Sequence, residues 1–378
     1  MPGLLSNVDP DGLLEYSVVY TDRALNHMSA RFGDVMRDIL RMLKTAYVAR
    51  SAVVVPGSGT FGMEAVARQF ATGRKVLVLR NGWFSYRWSQ IFDAGKITSE
   101  QLVLKASAVS SSPQAAYLPA PVDAVVETIL RERPGLVFAP HVETSSGLIL
   151  DRSYLRSVAD AAREVGALFV LDCIASGAMW VDMERDGVDV LISAPQKGWS
   201  GSPCCAFVML GERARRQIDS TTSSSFAIDL KKWLQIAELY EAGGHAYHAT
   251  LPTDALVRTH ASMRETVDIG LDVLQKRQVE LGARVRACLA ERGIQSVAGL
   301  GFEAPSVVVS HTVDDAVQSG AVFRNLGLQT AAGVPLQCGE PADFKTFRIG
   351  LFGLEKLQNL DRSVATLQDA LGAVFPPQ

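Results

Sequence analysis

Short apolar runs alternate along this chain with longer stretches whose apolar residues recur at helical spacing. Residues 27–49 carry Phe32, Val35, Met36, Ile39, Leu40 and Leu43 on one face and read as an amphipathic helix. Ala52 to Val55 reads as a strand, followed by a glycine turn and a helix over 60–71. Strands are predicted at 75–79 and 101–104, and a helix at 122–132. LVFAPHVE (136–143) reads as a strand, 152–165 as a helix and ALFVLD (167–172) as a strand. VDVLISA (188–194) and CAFVML (205–210) are two further apolar strands, with PQKGWSGSPC as the loop between them. Apolar strands alternating with helices predict an α/β fold, with a parallel or mostly parallel sheet covered on both faces. Ligands of such sheets bind beyond the carboxyl ends of the strands. Ser58, Glu143, Thr144, Asp172 and Lys197 all fall at those ends.

Beyond Lys197 the pattern changes. A polar loop at 220–225 precedes a helix in DLKKWLQIAELYEAG, and GGHAYHATLPT (243–253) is a loop rich in hydrogen-bonding side chains. Residues 255–293 are helical, with a break at Gly270. Strands at 302–310, 329–332 and 346–351 and a final helix at 355–375 read as a smaller α+β domain. Residues 1–14 read as an exposed arm and EYSVVYTDR (15–23) as a short extended segment. The expected division is an arm over 1–22, a large domain over 23–260 and a small domain over 261–378.

With 48% hydrophobic and 20% charged residues, the chain of 378 residues is globular rather than disordered. Its net charge of −3 is scattered, which argues against a nucleic-acid stripe or a polybasic membrane patch. No apolar run has the length of a membrane span, and residues 1–14 lack the features of a signal peptide, so a cytoplasmic location is expected. The five cysteines show no metal spacing and the six histidines form no paired set, so no metal site is expected.

Candidate chemistry gathers in a few stretches. Gly57-Ser58-Gly59-Thr60-Phe61-Gly62 lies between a strand and a helix, where bare amides and the helix dipole bind phosphate. The same letters match a dinucleotide fingerprint, and Arg80 at the end of the next strand would suit a 2′-phosphate. Lys197 sits among Ser, Gly and Pro between two core strands, and a desolvated lysine has a lowered pKa suited to Schiff-base chemistry. An ordinary loop lysine is the plain alternative. Asp172 gains meaning beside Lys197, because a buried carboxylate keeps the ring nitrogen of an aldehyde cofactor protonated. In Asn81-Gly82-Trp83-Phe84 an aromatic is placed to stack on a planar ring or simply to fill the core. Tyr247-His248-Ala249-Thr250 offers hydroxyls, unless it only satisfies its own backbone. Arg348 in an apolar strand needs an anion, either a bound carboxylate or a structural partner.

Taken in order, SGT, NGWF, HVETSSG, the strand ending in Asp172, SAPQK, YHAT and FRIG resemble the class V branch of the fold-type I pyridoxal-phosphate enzymes. The likeness runs from about His27 to the C-terminus and is nearest to alanine–glyoxylate, serine–glyoxylate and 2-aminoethylphosphonate–pyruvate transaminases. The resemblance implies a large domain with a mainly parallel seven-stranded sheet plus a small C-terminal domain. It implies pyridoxal 5′-phosphate as cofactor, Lys197 as the Schiff-base lysine and Asp172 as the partner of the pyridine nitrogen. Ser58, Gly59, Thr60 and Gln196 correspond to the phosphate cup, Phe84 to the stacking aromatic and Thr144 to the hydroxyl near the phenolic oxygen. Tyr247 and Thr250 correspond to residues that reach the phosphate of the other subunit, which implies a homodimer with shared sites. Arg348 corresponds to the arginine that holds the substrate carboxylate.

The activity implied is transfer of an amino group from a small amino acid or aminophosphonate to a 2-oxo acid such as pyruvate or glyoxylate. Two features depart from the family. EYSVVYTDR replaces a glycine- and proline-rich turn beside the substrate, so Tyr16, Tyr20 and Arg23 become candidates to reach the pocket. Pro203-Cys204 replaces the usual Pro-Gly. A cysteine desulfurase or β-lyase is the alternative within the same cofactor class, with Cys338 as sulfur acceptor. An NADP-binding oxidoreductase is the alternative outside it.

Overall fold

The computed structural model describes residues 8–375; residues 1–7 of the predicted arm and residues 376–378 lie outside the described part. Ala30–Tyr47 (α1) opens on Ser29, whose hydroxyl accepts from the Phe32 N–H, and closes on Val48 in the left-handed region at φ 51°. Ser51–Pro56 (β1) leads through the glycine turn into Gly59–Val66 (α2), which runs on as a π-helical turn over Ala67–Ala71. Val76–Arg80 (β2), Trp83–Gly95 (α3), Gln101–Lys105 (β3), Val122–Glu132 (α4), Leu136–Pro140 (β4), Arg152–Glu164 (α5) and Leu168–Asp172 (β5) follow as alternating units. Val190–Ser193 (β6) and Cys205–Leu210 (β7) flank the Lys197 loop.

These strands form one seven-stranded sheet in the order β1-β7-β6-β5-β4-β2-β3. The pairs β2–β3, β2–β4, β4–β5 and β5–β6 are parallel. Only β7 runs against both of its neighbours, β6 and β1. A parallel return needs a crossover of about a dozen residues or more, usually helical. The loop from Ala194 to Cys204 contains no helix, so β7 comes back antiparallel. Every residue of β2, β4, β5, β6 and β7 is buried, which is why these strands read as continuous apolar runs.

The rest of the chain builds a second layer. Leu230–Glu241 (α6) packs on β1, and Thr253–Ile269 (α7) is separated from Leu271–Ala290 (α8) by Gly270 at φ 101°. Val307–His311 (β8), Ala331–Ala332 (β9) and Thr346–Gly350 (β10) form a three-stranded antiparallel sheet with β10 in the middle. It shares a separate apolar cluster, including Leu274, Leu281, Val285, Phe323 and Phe347, with α8 and Leu360–Val374 (α9).

Several elements differ from the sequence expectation. LVFAPHVE breaks at His141, whose N–H turns to the Asp172 carbonyl at 2.8 Å; Val142–Glu143 then pairs with Leu148–Ile149 in a short hairpin. The strand expected from 302 begins at Val307. The last helix is interrupted at Asn359, whose side chain caps α9 by accepting from the Arg362 N–H. EYSVVYTDR forms bends rather than a strand, because the Glu15 carboxylate takes the Ser17 N–H at 2.8 Å and the Asn26 amide at 2.9 Å. Among the described residues no helix is long and apolar enough to cross a membrane.

Phe138 in β4 lies 4.5 Å from Trp88 and 5.2 Å from Phe92, ring centroid to ring centroid, and this cluster holds α3 to the sheet. Phe138→Ala leaves a cavity there and should cost about 3–5 kcal/mol, read as a lower urea midpoint.

Candidate active site

The carboxyl ends of β1, β2, β4, β5 and β6 converge on one cavity of about 520 Å³, closed on its far side by β9 and β10. Ser58, Gly59, Thr60, Phe84, Thr144, Asp172, Gln196, Lys197 and Arg348 all line it. Tyr247 and Thr250 do not. Their hydroxyls lie 3.2 Å apart on the exposed loop after α6, where Tyr247 packs 5.8 Å from the His27 ring.

Lys197 is presented by the loop after β6. Gly198 beside it presses on the backbone of Gly177, where a Cβ would come within 2.2 Å of the Gly177 carbonyl oxygen. The Lys197 ammonium sits 4.8 Å from the centre of the Phe352 ring. Burial lowers the lysine's pKa, and the nearby Arg348 guanidinium lowers it further.

Asp172 ends β5 between Pro140 and Ile192 on the neighbouring strands. Its Oδ1 accepts from the Ile174 N–H at 2.9 Å. Burial pushes its pKa up to about 7, against the pull of that hydrogen bond, while Glu143 adds to the rise and Arg87 opposes it.

Phe84 is set by a buried carboxylate. Glu143, with 0% exposure, accepts from the Phe84 N–H at 3.1 Å, the Ser85 N–H at 2.9 Å and the Ser85 hydroxyl at 2.7 Å. It also accepts from the Ser145 N–H at 3.1 Å and the Ser145 hydroxyl at 2.7 Å. The negative charge therefore sits on the positive end of α3. Gly82 makes this approach possible, because a Cβ there would lie 2.0 Å from Ser145 Oγ. Phe84 then faces the cavity, while Trp83 turns to Tyr86 at 5.8 Å.

The turn before α2 offers an anion site. Gly57 has φ 120°, and Ser58 makes no side-chain cap to the helix, so the first amides of α2 are not taken by that hydroxyl. Gly59 packs on Ile174, where a Cβ would come within 2.5 Å of that side chain. The Gln196 amide oxygen is buried without a partner, so half a turn of the amide would present its NH₂ instead. Arg348 in β10 is anchored by its Nε to the Ala332 carbonyl at 2.8 Å, which leaves its terminal nitrogens for a carboxylate. Its guanidinium lies 5.5 Å from the Phe84 ring.

Other candidates fall elsewhere. Tyr16 is 89% exposed, Tyr20 donates to the Leu251 carbonyl at 3.1 Å and Arg23 is exposed; none lines the cavity. Arg80 is buried against Ser89, the Gln337 carbonyl and the Tyr86 ring, which leaves it no place beside a nucleotide in this cavity. Cys338 also lies off the cavity, and burial with the charges of Glu143 and Glu340 pushes its thiol up to about 12. Arg87 and Phe352 also line the cavity and were not among the sequence candidates. Arg87 stands one helical turn after Phe84, a spacing visible only once 83–95 is read as a helix. Phe352 follows β10 in an irregular segment with no periodic signal.

The family model described as aminotransferase class-V matches residues 13–327. The chain is 30% identical to 2-aminoethylphosphonate–pyruvate transaminase 2 of Paraburkholderia xenovorans, over 93% of this chain and 89% of that protein. It is 25% identical to alanine–glyoxylate aminotransferase of Oryctolagus cuniculus, over 92% of this chain and 86% of that protein. Among solved structures, ureidoglycine–glyoxylate aminotransferase of Bacillus subtilis superposes with a TM-score of 0.75 at 22% identity, covering 91% of this chain and 85% of that one.

Glu143→Gln keeps the shape but replaces one acceptor oxygen with a donor. The amides of Phe84 and Ser85 should then exchange hydrogen about 10–100-fold faster, since a hydrogen bond to a charged group contributes about 1.5–3 kcal/mol. Asp172 yields a pH test in the protein without added ligand. Its raised pKa means that the folded state is penalised once the carboxylate ionises. The penalty is absent below the ordinary carboxylate pKa, grows as pH rises and is complete above about 7. Asp172→Asn should therefore raise the urea midpoint relative to wild type at about pH 8, with the gain vanishing near about pH 4.

Proposed function

The chain belongs to the class-V aminotransferases, and from that premise we propose that it holds pyridoxal 5′-phosphate on Lys197 and exchanges amino groups between a small amino donor and a 2-oxo acid. The observation that carries this reading is one cavity shared by a half-buried lysine of lowered pKa, a buried carboxylate and a helix N-terminus. The residues fit the cofactor by their chemistry. Ser58, Gly59 and Thr60 with Gln196 supply donors for a phosphate, Asp172 an acceptor for a protonated ring nitrogen, Phe84 a face for the ring and Thr144 a hydroxyl for its phenolic oxygen. When bound, the cofactor supplies an electron sink that makes the α-proton of the amino donor removable.

The chain's own groups do the rest. Arg348, held by the Ala332 carbonyl, binds the donor's carboxylate or phosphonate and so fixes which face meets Lys197. The amine of Lys197, which burial and Arg348 shift toward its neutral form, takes the proton from the α-carbon and returns it on the acceptor's path. In the bare cavity the pKa of Asp172 lies near neutrality, so a positive partner such as a protonated ring nitrogen favours its charged form. Phe352 and Val307 line the same cavity as Arg348, and the small amino donor with pyruvate or glyoxylate as acceptor is the substrate pair the reading expects.

A homodimer with shared sites belongs to the same proposal. It is supported by Tyr247 and Thr250, whose hydroxyls are exposed and absent from their own cavity. A separate small C-terminal domain is supported by the apolar cluster that its sheet shares with α8 and α9, although the expected 260/261 division falls inside α7, whose Met263 packs in the cluster of the large sheet. A cytoplasmic location is supported by five unpaired cysteines. The desulfurase alternative loses its sulfur acceptor, because the Cys338 thiol is off the cavity and stays protonated at neutral pH.

The test is a visible spectrum with pyridoxal phosphate added. Wild type should be yellow and bleach with borohydride, and Lys197→Ala should lack the bleachable band. Donors are then screened against pyruvate and glyoxylate. A wild-type protein that stays colourless would overturn the cofactor reading, and sulfide release from cysteine without amino transfer would overturn the reaction.

A further inference from the structure

Arg87 lines the cavity but has no part in the chemistry above. It is carried by α3, whose first turn is fastened to Glu143, so its place is set by the same device that sets Phe84. Its guanidinium lies across the Phe84 ring at 5.1 Å from the centroid. Its Nη1 donates to Thr60 Oγ1 at 3.0 Å, a hydroxyl rather than a carboxylate.

That bond has a directional consequence. A threonine hydroxyl has a single hydrogen to give and lone pairs to receive. With Arg87 on one lone pair, the hydroxyl hydrogen is left to point at another acceptor. Thr60 lies in the first turn of α2, where the helix end already favours an anion. The remaining guanidinium donors bring a full positive charge to the same end of the cavity.

We infer that Arg87 is a positioning residue for the cofactor phosphate: it turns the Thr60 hydroxyl into a donor and adds its charge to the anion site at the start of α2. The inference rests on the pyridoxal-phosphate reading. It also links the two ends of the cavity, because the Arg87 charge favours the ionised form of Asp172.

The experiment compares two ligands that differ only in the phosphate. Wild type, Arg87→Gln, Arg87→Lys, Thr60→Val and the Arg87→Gln/Thr60→Val double variant are freed of cofactor and titrated with pyridoxal phosphate and with pyridoxal, read by the visible band. Arg87→Gln should weaken pyridoxal phosphate about 10–100-fold and change pyridoxal by less than about two-fold. Arg87→Lys keeps the charge but not the planar fork, and should fall between wild type and Arg87→Gln. The double variant should lose less than the sum of the single losses, because both substitutions break the same contact.

Equal weakening of both ligands would assign Arg87 to the general packing of α3 and overturn the inference. Unchanged affinity for pyridoxal phosphate with a higher donor KM would assign it to substrate and overturn it as well. If wild type binds neither ligand, the cofactor reading itself fails. That outcome is distinct from a wild type that binds both while the variant keeps its phosphate preference, which refutes the inference alone.

Discussion

The placement of the aromatic wall of the site depends on one buried carboxylate. Glu143 has no solvent access, and an uncompensated charge in that position would be prohibitively unfavourable. It is tolerated because backbone and hydroxyl donors from Phe84, Ser85 and Ser145 surround it at the positive end of α3. The compensation works in both directions. The helix satisfies the charge, and the charge fixes where the helix begins, so Phe84 and Arg87 reach the cavity from a rigid base. Gly82 is required by the same contact, since any side chain there would strike Ser145.

The charges that line the cavity are unequal. Lys197, Arg87 and Arg348 face it, with Asp172 as the carboxylate among the lining residues. Such a cavity favours ligands that bring negative charge, while the pKa shifts within it come first from burial. The pKa of the lysine is pushed down by burial and then by Arg348. Asp172 is pushed up by burial and then by Glu143, so it awaits a positive partner. A phosphate at α2, a cationic ring nitrogen at Asp172 and a carboxylate at Arg348 would together relieve each of these costs.

Much of this was legible from local pattern. The apolar runs ending in Asp172 and flanking Lys197, and the glycine turn before α2, are signals of period and turn chemistry that need no tertiary knowledge. Their meeting at one edge follows from a general property of parallel sheets, whose strand ends point the same way. The unread helix α3 shows where pattern weakens. NGWFSYRW has a glycine at the helix cap and is crowded with aromatics, so its apolar residues do not mark a single face. Arg87 was hidden with it. EYSVVYTDR looked extended because its β-branched and aromatic residues favour strands, yet Glu15 and Ser17 bond locally and bend it.

By itself, then, the amino-acid sequence determined the alternation of strands and helices, the strand ends that carry Ser58, Thr144, Asp172 and Lys197, and the apolar setting of Arg348. These are consequences of local propensity and of the short-range periodicity of buried faces. The tertiary structure alone decided the antiparallel return of β7, the capture of α3 by Glu143, the bond from Arg87 to Thr60 and the exclusion of Tyr247 and Thr250 from their own cavity. Each of these depends on groups from different elements meeting at hydrogen-bond distance or failing to meet. Such meetings are set by the closure of the whole sheet rather than by any segment of the chain.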